Sequence, residues 1–139
     1  MKVFLDANVL IAVLNREYPL YSHAAQVLSL ADNKRVTHYV SPLSIAIAFY
    51  FASKKSGQKQ AKCKIALLME HVKTAPLDHA SVTEPLGAPI IEDLEDGMQY
   101  HAALKAGCEV IVTEDLNDFY FSEIPVMDAE GFLAHYRNS

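Results

Sequence analysis

The residues best equipped for chemistry in this sequence are its acids. In "PIIEDLEDGMQYH", residues 89–101, four of them (Glu92, Asp93, Glu95 and Asp96) occupy five positions. Asp6 directly follows the apolar run "KVFL", and Asp115 lies two residues past "EVIVT". Carboxylates brought together without a cation repel one another, and burial raises their pKa further. A hard divalent cation removes that conflict. Mg²⁺ takes oxygen ligands, keeps several waters and uses only a few carboxylates. Such an ion generates a nucleophile from water and holds a phosphodiester in line for attack.

Each acid also has a plainer reading. Carboxylates in a first helical turn are favoured by the helix dipole by roughly 0.3–1 kcal/mol each. Asp93 is well placed as an N-cap, and Asp6 could cap the apolar helix that follows it. Asp115 could be a turn residue in "TEDLND". Asp6 is the hardest to dismiss. A carboxylate between an apolar strand and an apolar helix is costly unless capped or ligated.

The surrounding pattern says how these acids would meet. "KVFL", "RVTHYV", "KTAPL", "EVIVT" and "IPVMD" read as short strands, and the apolar ones lack alternation because both faces are covered. Helical stretches separate them: "DANVLIAVLN", "YPLYSHAAQVLSLADN", "SPLSIAIAFYFASKK" with Pro42 in its first turn, and "QKQAKCKIALLMEHV". "DHASVTEPL" reads as a short helix stopped near Pro85, "IEDLEDGMQYHAALKAG" as a helix closing at Gly107, and "AEGFLAHYR" as a last helix. "EDLNDFYFSE" is a polar-aromatic loop. Alternating strands and helices predict a three-layer α/β/α sandwich around a mainly parallel sheet of four to five strands. Asp6 and Asp115 then lie at carboxyl ends of strands, the edge where open α/β sheets bind ligands. Within the acid-led helix, Asp93 and Asp96 are spaced i, i+3 and Glu92 and Asp96 i, i+4, so each pair would share a face.

Bulk properties narrow the class. The 139 residues fit one domain, 1–139, with a substantial core. Half are hydrophobic (51%) and 21% are charged, which argues against disorder. A net charge of −5 is unlike a duplex-DNA binder, yet fits an enzyme whose metal-holding acids count in the sum. Cys63 and Cys108 are the only cysteines and no signal peptide is evident, so they read as reduced thiols in a cytoplasmic protein. The longest apolar run, "VSPLSIAIAFYFA", is shorter than the roughly 20 residues of a membrane span.

Other constellations are weak. The six histidines show no zinc-ligand spacing, and His101 is notable only for lying on the acid-led helix. Dinucleotide, Walker and serine-hydrolase signatures are missing. Lys54, Lys55, Lys59, Lys62 and Lys64 concentrate positive charge in "SKKSGQKQAKCK", either as a rim steering phosphates or as a solvated helix face. Tyr18, Tyr21, Tyr120 and Phe121 could stack bases, though such aromatics more often pack.

At the acids themselves the chain resembles the PIN-domain family of metal-dependent ribonucleases, which includes VapC-type toxins. "VFLDANVLIAVLN" resembles the family's opening strand and helix, with Asp6 on the acid position and Asn8 on the following polar one. "EDGMQYHAALKAGCEVIVTEDLNDF" resembles its acid-led helix, strand, Thr-x-Asp and Asp-Phe, which places Asp96, Thr113, Asp115 and Asp118 on functional positions. "IPVMDAEGFLAHY" resembles the terminal strand and helix. The resemblance covers nearly the whole chain. One position departs from it: the family's second acid falls near Ile47, and the helix from Pro42 to Ala52 carries no carboxylate.

The resemblance implies a PIN-like fold and a Mg²⁺- or Mn²⁺-dependent endoribonuclease that hydrolyses RNA phosphodiesters. It implies metal binding by Asp6, Asp96 and Asp115, with Asp93, Glu92 or Asp118 compensating at the metal for the missing acid. Thr113 and Asn8 would position water or carboxylates. It also implies a homodimer and the toxin role in a toxin–antitoxin pair with a cognate antitoxin. A second possibility is a PIN-like module with weakened turnover that binds RNA or protein. A third is a small phosphatase, because "FLDANV" faintly resembles a haloacid-dehalogenase nucleophile motif with Asn8 in place of its second Asp.

Overall fold

Residues 1–138 are described by the computed structural model. Five strands form one sheet: β1 (Lys2–Leu5), β2 (Thr37–Val40), β3 (Lys73–Thr74), β4 (Val110–Val112) and β5 (Val126–Met127). Their order is β3-β2-β1-β4-β5, and every neighbouring pair is parallel. Among the described residues seven α-helices accompany them: α1 (Ala7–Leu14), α2 (Leu20–Ser29), α3 (Pro42–Ser56), α4 (Gln58–Leu68), α5 (His79–Leu86), α6 (Leu94–Lys105) and, after the last strand, α7 (Ala129–Arg137).

Strand side chains alternate between two apolar layers. Val3, Leu5, Val40, Val110 and Val112 pack with Val9 and Leu10 of α1, Val27 of α2, Ala48 of α3, Leu68 of α4 and Phe132 of α7. Phe4 and Ile111 point the other way, toward Tyr100, Ala102 and Ala103 of α6 and toward Phe119. This is the expected three-layer sandwich, and Val3–Leu5 of β1 and all of β4 are apolar because both faces are covered.

The chain runs outward from β1 through β2 to β3, then returns to the other side of β1 to build β4 and β5. Strand order therefore switches between β1 and β4. In open parallel sheets the crevice beyond the carboxyl ends at such a point is the usual ligand site.

Several boundaries differ from the sequence pattern. The acid-led helix begins at Leu94, with Asp93 as its N-cap, so Glu92 stands outside the helix and cannot share a helical face with Asp96. The reason is local: the Asp93 carboxylate accepts the Asp96 amide at 3.0 Å and fixes the start there. Helix α5 ends at Leu86, near Pro85 as expected, and its start is held by a reciprocal cap between Asp78 and Ser81. The polar-aromatic loop contains a short 3₁₀ turn, Leu116–Phe119. Pro42 opens α3 as anticipated, behind a Ser41 cap.

Candidate metal centre at the switch point

The parallel register lines up the carboxyl ends of β1 and β4, since Leu5 pairs with Val112. The next residue of each strand carries the site's first polar groups. Asp6 occupies the N-cap of α1. Its Oδ1 accepts the Ala7 amide at 2.8 Å, and its Oδ2 accepts the Thr113 hydroxyl at 2.9 Å. The hydrogen bond to Ala7 serves the first helical residue, whereas a cap ordinarily serves the second or third amide. Capping therefore explains only part of this carboxylate's placement.

Thr113 is fully buried and its hydroxyl is a hub. Besides donating to Asp6, it accepts from Asn8 Nδ2 at 3.0 Å and from the Asp115 amide at 3.1 Å. Asn8 completes the tie: its Nδ2 also donates to Asp115 Oδ2 at 3.2 Å, and its Oδ1 accepts the Glu114 amide at 3.1 Å. Thr113 and Asn8 thus hold Asp6 and Asp115, residues more than a hundred positions apart in sequence, in one hydrogen-bonded group. Glu114 turns away and accepts the Ala129 amide at 3.2 Å, anchoring α7.

The third acidic contribution comes from the first turn of α6. Asp96 is half-buried there, while Glu95 is exposed. Burial, then the charges of Asp93, Asp118, Asp6 and Glu95, push the Asp96 carboxyl up to about 7. Asp6 is also raised, mainly by burial and then by Asp115 and Glu95, against the lowering effect of its bonds from Ala7 and Thr113. Asp118, exposed on the 3₁₀ turn, is raised by burial and then by Asp115 and Asp93. These mutual influences bring Asp6, Asp96, Asp115 and Asp118 into one electrostatic cluster, with Asp93 and Glu95 at its margin. Glu92 belongs to the loop before α6, where its amide meets the Tyr120 hydroxyl at 3.4 Å.

The donor set is all oxygen, which suits Mg²⁺ or Mn²⁺ and not the softer metals. Among the described residues, no three His, Cys, Asp or Glu side chains are already gathered as a metal-binding group. That is compatible with a hard ion that binds one or two carboxylates directly and reaches the others through retained waters. The chemistry of the donors fits, and so does the unrelieved repulsion at Asp96. Ile47, where the resemblance placed a second acid, is half-buried on α3.

Three other groups of residues take the following places. The Lys54–Lys64 segment spans the end of α3 and the body of α4, so Lys54 is about 18 Å along the helix from Pro42. Lys55 donates to the Asn15 carbonyl, Lys64 to Ser56 at 3.0 Å, and Lys54 lies 4.6 Å from the Tyr50 ring centre. Lys54 and Lys55 thus lie at the far end of α3, whereas Lys62 on α4 lines a cavity with Pro42 and Ala46 at its start. Tyr120 and Phe121 pack edge-on, and Tyr120 donates to the Ile90 carbonyl, pinning the loop ahead of α6. His101 pairs with Glu84 at 2.8 Å on the α5 side.

Sequence reasoning missed a buried polar group beside the site. Ser41, Ser44 and Gln99 are 0%, 0% and 1% exposed and hydrogen-bond to one another. A glutamine at the i+3 position from Asp96 on an otherwise apolar helix face was the available signal.

Fold and site together define a small parallel α/β protein with an oxygen-donor acid cluster at its topological switch point. The PIN-domain family model matches residues 2–117, and the chain belongs to that family. Among curated proteins it is 27% identical over 139 residues to Ribonuclease VapC1 of Aquifex aeolicus (strain VF5), covering 97% of this chain and 95% of that one. Its fold matches that of Rickettsia felis VapBC2 bound to a DNA fragment from its promoter, with a TM-score of 0.67 and 18% identity over 92% of this chain and 98% of the other. It also matches Mycobacterium tuberculosis VapC20, a sarcin-ricin loop cleaving toxin, with a TM-score of 0.63 and 13% identity over 78% and 86% of the two chains. Among the described residues no helix is long and apolar enough to cross a membrane, and Cys63 and Cys108 are both free.

Proposed function

We propose that this chain is a Mg²⁺- or Mn²⁺-dependent endoribonuclease and the toxin of a toxin–antitoxin pair, acting in the cytoplasm as a single PIN domain. The observation that carries this reading is the hydrogen-bonded group Asp6–Thr113–Asn8–Asp115 facing an Asp96 whose charged form is disfavoured by burial and four neighbouring acids. Similarity to a curated VapC ribonuclease over nearly the whole chain supports it. The VapBC2 assembly among its structural neighbours supports a cognate antitoxin as partner.

In this reading Asp6, Asp96 and Asp115 hold the cation, with Asp93 and Asp118 as flanking acids. A divalent cation there would supply Lewis-acid polarisation of a phosphodiester and an attacking water of lowered pKa. Thr113 fixes the Asp6 carboxylate, and Asn8 fixes that of Asp115, so neither must be ordered when substrate arrives. Asp115 and Asp118 are exposed, so the phosphates of an RNA strand meet repulsion until the acid charge is neutralised.

Cleavage of a labelled single-stranded RNA pool with Mn²⁺, Mg²⁺ or EDTA tests the reading. Wild type should cut only with metal, and Asp6→Asn should cut at least about 100-fold more slowly, beyond the usual cost of losing an orienting partner. Equal rates for the two proteins would exclude this mechanism. The lack of a carboxylate on α3, Ile47 included, favours one second reading: a module that binds RNA or protein without turnover. Retained RNA binding with no metal-dependent cutting would select it.

A further inference from the structure

Helix α6 carries Asp96 but belongs chiefly to a pair with α5, while α3 packs mainly on α1 and α4. The two groups of helices cover opposite faces of the sheet. A polar bridge joins them at the carboxyl edge. Gln99 Nε2 donates to Ser44 Oγ at 2.8 Å, Ser41 Oγ donates to Gln99 Oε1, and Ser41 Oγ also approaches Ser44 Oγ at 3.3 Å. Ser41 Oγ caps α3 through the Ser44 amide at 3.0 Å.

The location of this bridge gives it a consequence for the acid cluster. Phe4 of β1 pairs with Tyr39 of β2, so continuing the register two residues sets Ser41 beside Asp6. Gln99 lies one turn beyond Asp96 on α6 and is within the same element whose first turn faces Asp6. All three side chains are shut off from solvent. A buried amide left without partners loses its solvation with nothing in return, so the network resists any slide of α6 relative to β2 and α3. The repulsion among Asp6, Asp96 and their neighbours acts to force such a slide.

We infer that Ser41, Ser44 and Gln99 form a strut that holds the Asp96 end of α6 against the Asp6 edge of the sheet, making Gln99 a positioning residue for the metal centre. The strut joins α6 to the first turn of α3, one turn ahead of Ile47, where α3 itself provides no carboxylate. The inference rests on the metal-centre reading above for its function, and on the hydrogen bonds alone for its mechanics.

The test pairs two readouts on the full chain: amide hydrogen exchange in EDTA and Mn²⁺ affinity by calorimetry. Gln99→Leu removes the strut. Ser44→Ala weakens it more gently and keeps the test alive if the leucine variant folds poorly. Val27→Ala, a buried truncation on α2, controls for general destabilisation. In Gln99→Leu, exchange should accelerate at least about tenfold along α6 relative to β1 and α2, with Mn²⁺ affinity falling about tenfold. Ser44→Ala should show the same selectivity at smaller size, and Val27→Ala neither change. Uniform acceleration across the chain, or unchanged Mn²⁺ affinity in a Gln99→Leu protein whose wild type binds the ion, would overturn the inference. Wild type that binds no Mn²⁺, with α6 still selectively loosened by Gln99→Leu, would uphold the strut and refute the metal reading.

Discussion

Thr113 and Asp96 stand on opposite sides of one acid cluster and are held in contrasting ways. At the strand edge, the Thr113 hydroxyl makes three hydrogen bonds, to Asp6, Asn8 and the Asp115 amide, and Asn8 ties down what remains. At the helix edge, Asp96 is pushed up to about 7 by burial and four neighbouring acids. The strand half is ordered by the chain's own donors. The helix half is left in electrostatic conflict that folding alone would have removed. A protein selected only for stability would place a neutral residue at 96, so the conflict supports the proposal of a cation at this half.

The contrast can be broken first on the ordered side. Thr113→Val keeps the shape and deletes the hub, so stability to urea should fall by about 3 kcal/mol for three lost hydrogen bonds. Mn²⁺ affinity should fall roughly 10–100-fold with it. A valine variant as stable as wild type would show that the strand edge is held by packing alone.

A titration away from both halves sets the background. His38 on β2 is 1% exposed, and burial pushes its imidazole down to about 4, against a weaker upward pull from the Val27 backbone. The folded chain therefore keeps His38 neutral where the unfolded chain protonates it. Stability from this residue is complete above pH 6.5 and is lost as pH falls from 6.5 toward 4. By pH 5 the loss should reach about 2 kcal/mol. His38→Leu should flatten that part of the profile while leaving cleavage at neutral pH intact.

The smallest effect sharpens the helix side. A Cβ at Gly97 would meet Pro85 Cβ at 2.7 Å and Ile91 Cγ2 at 2.8 Å, so glycine lets the first turn of α6 lie close on α5. Gly97→Ala should destabilise by about 1–2 kcal/mol, because overpacking exceeds the gain in helix propensity. A stabilised alanine variant, read by thermal melting, would show that this approach is slack.

Much of this arrangement was legible in the sequence, and the exceptions have physical reasons. Asp6 and Asp115 were legible because apolar strands that end in an acid are costly unless the acid has a partner, and parallel strands present such ends together. The start of α6 was not. Periodicity favoured Ile91, whereas the Asp93 cap sets Leu94 and leaves Glu92 outside. The end of α5 near Pro85 was legible, because a proline in the last turn allows little helix beyond it. Gln99 could not be read as a strut, because its partners Ser41 and Ser44 lie more than fifty residues away and only packing brings them together.

The most direct measurement is the melting temperature of wild type and Asp96→Asn with and without Mn²⁺ at slightly alkaline pH. Without metal, the asparagine variant should melt higher than wild type, because one repelling charge is gone. With saturating Mn²⁺ the order should reverse, with wild type gaining stability and the variant gaining little. A wild type indifferent to Mn²⁺, or an asparagine variant that melts lower in both conditions, would contradict the reading of Asp96 as a carboxylate placed for a cation.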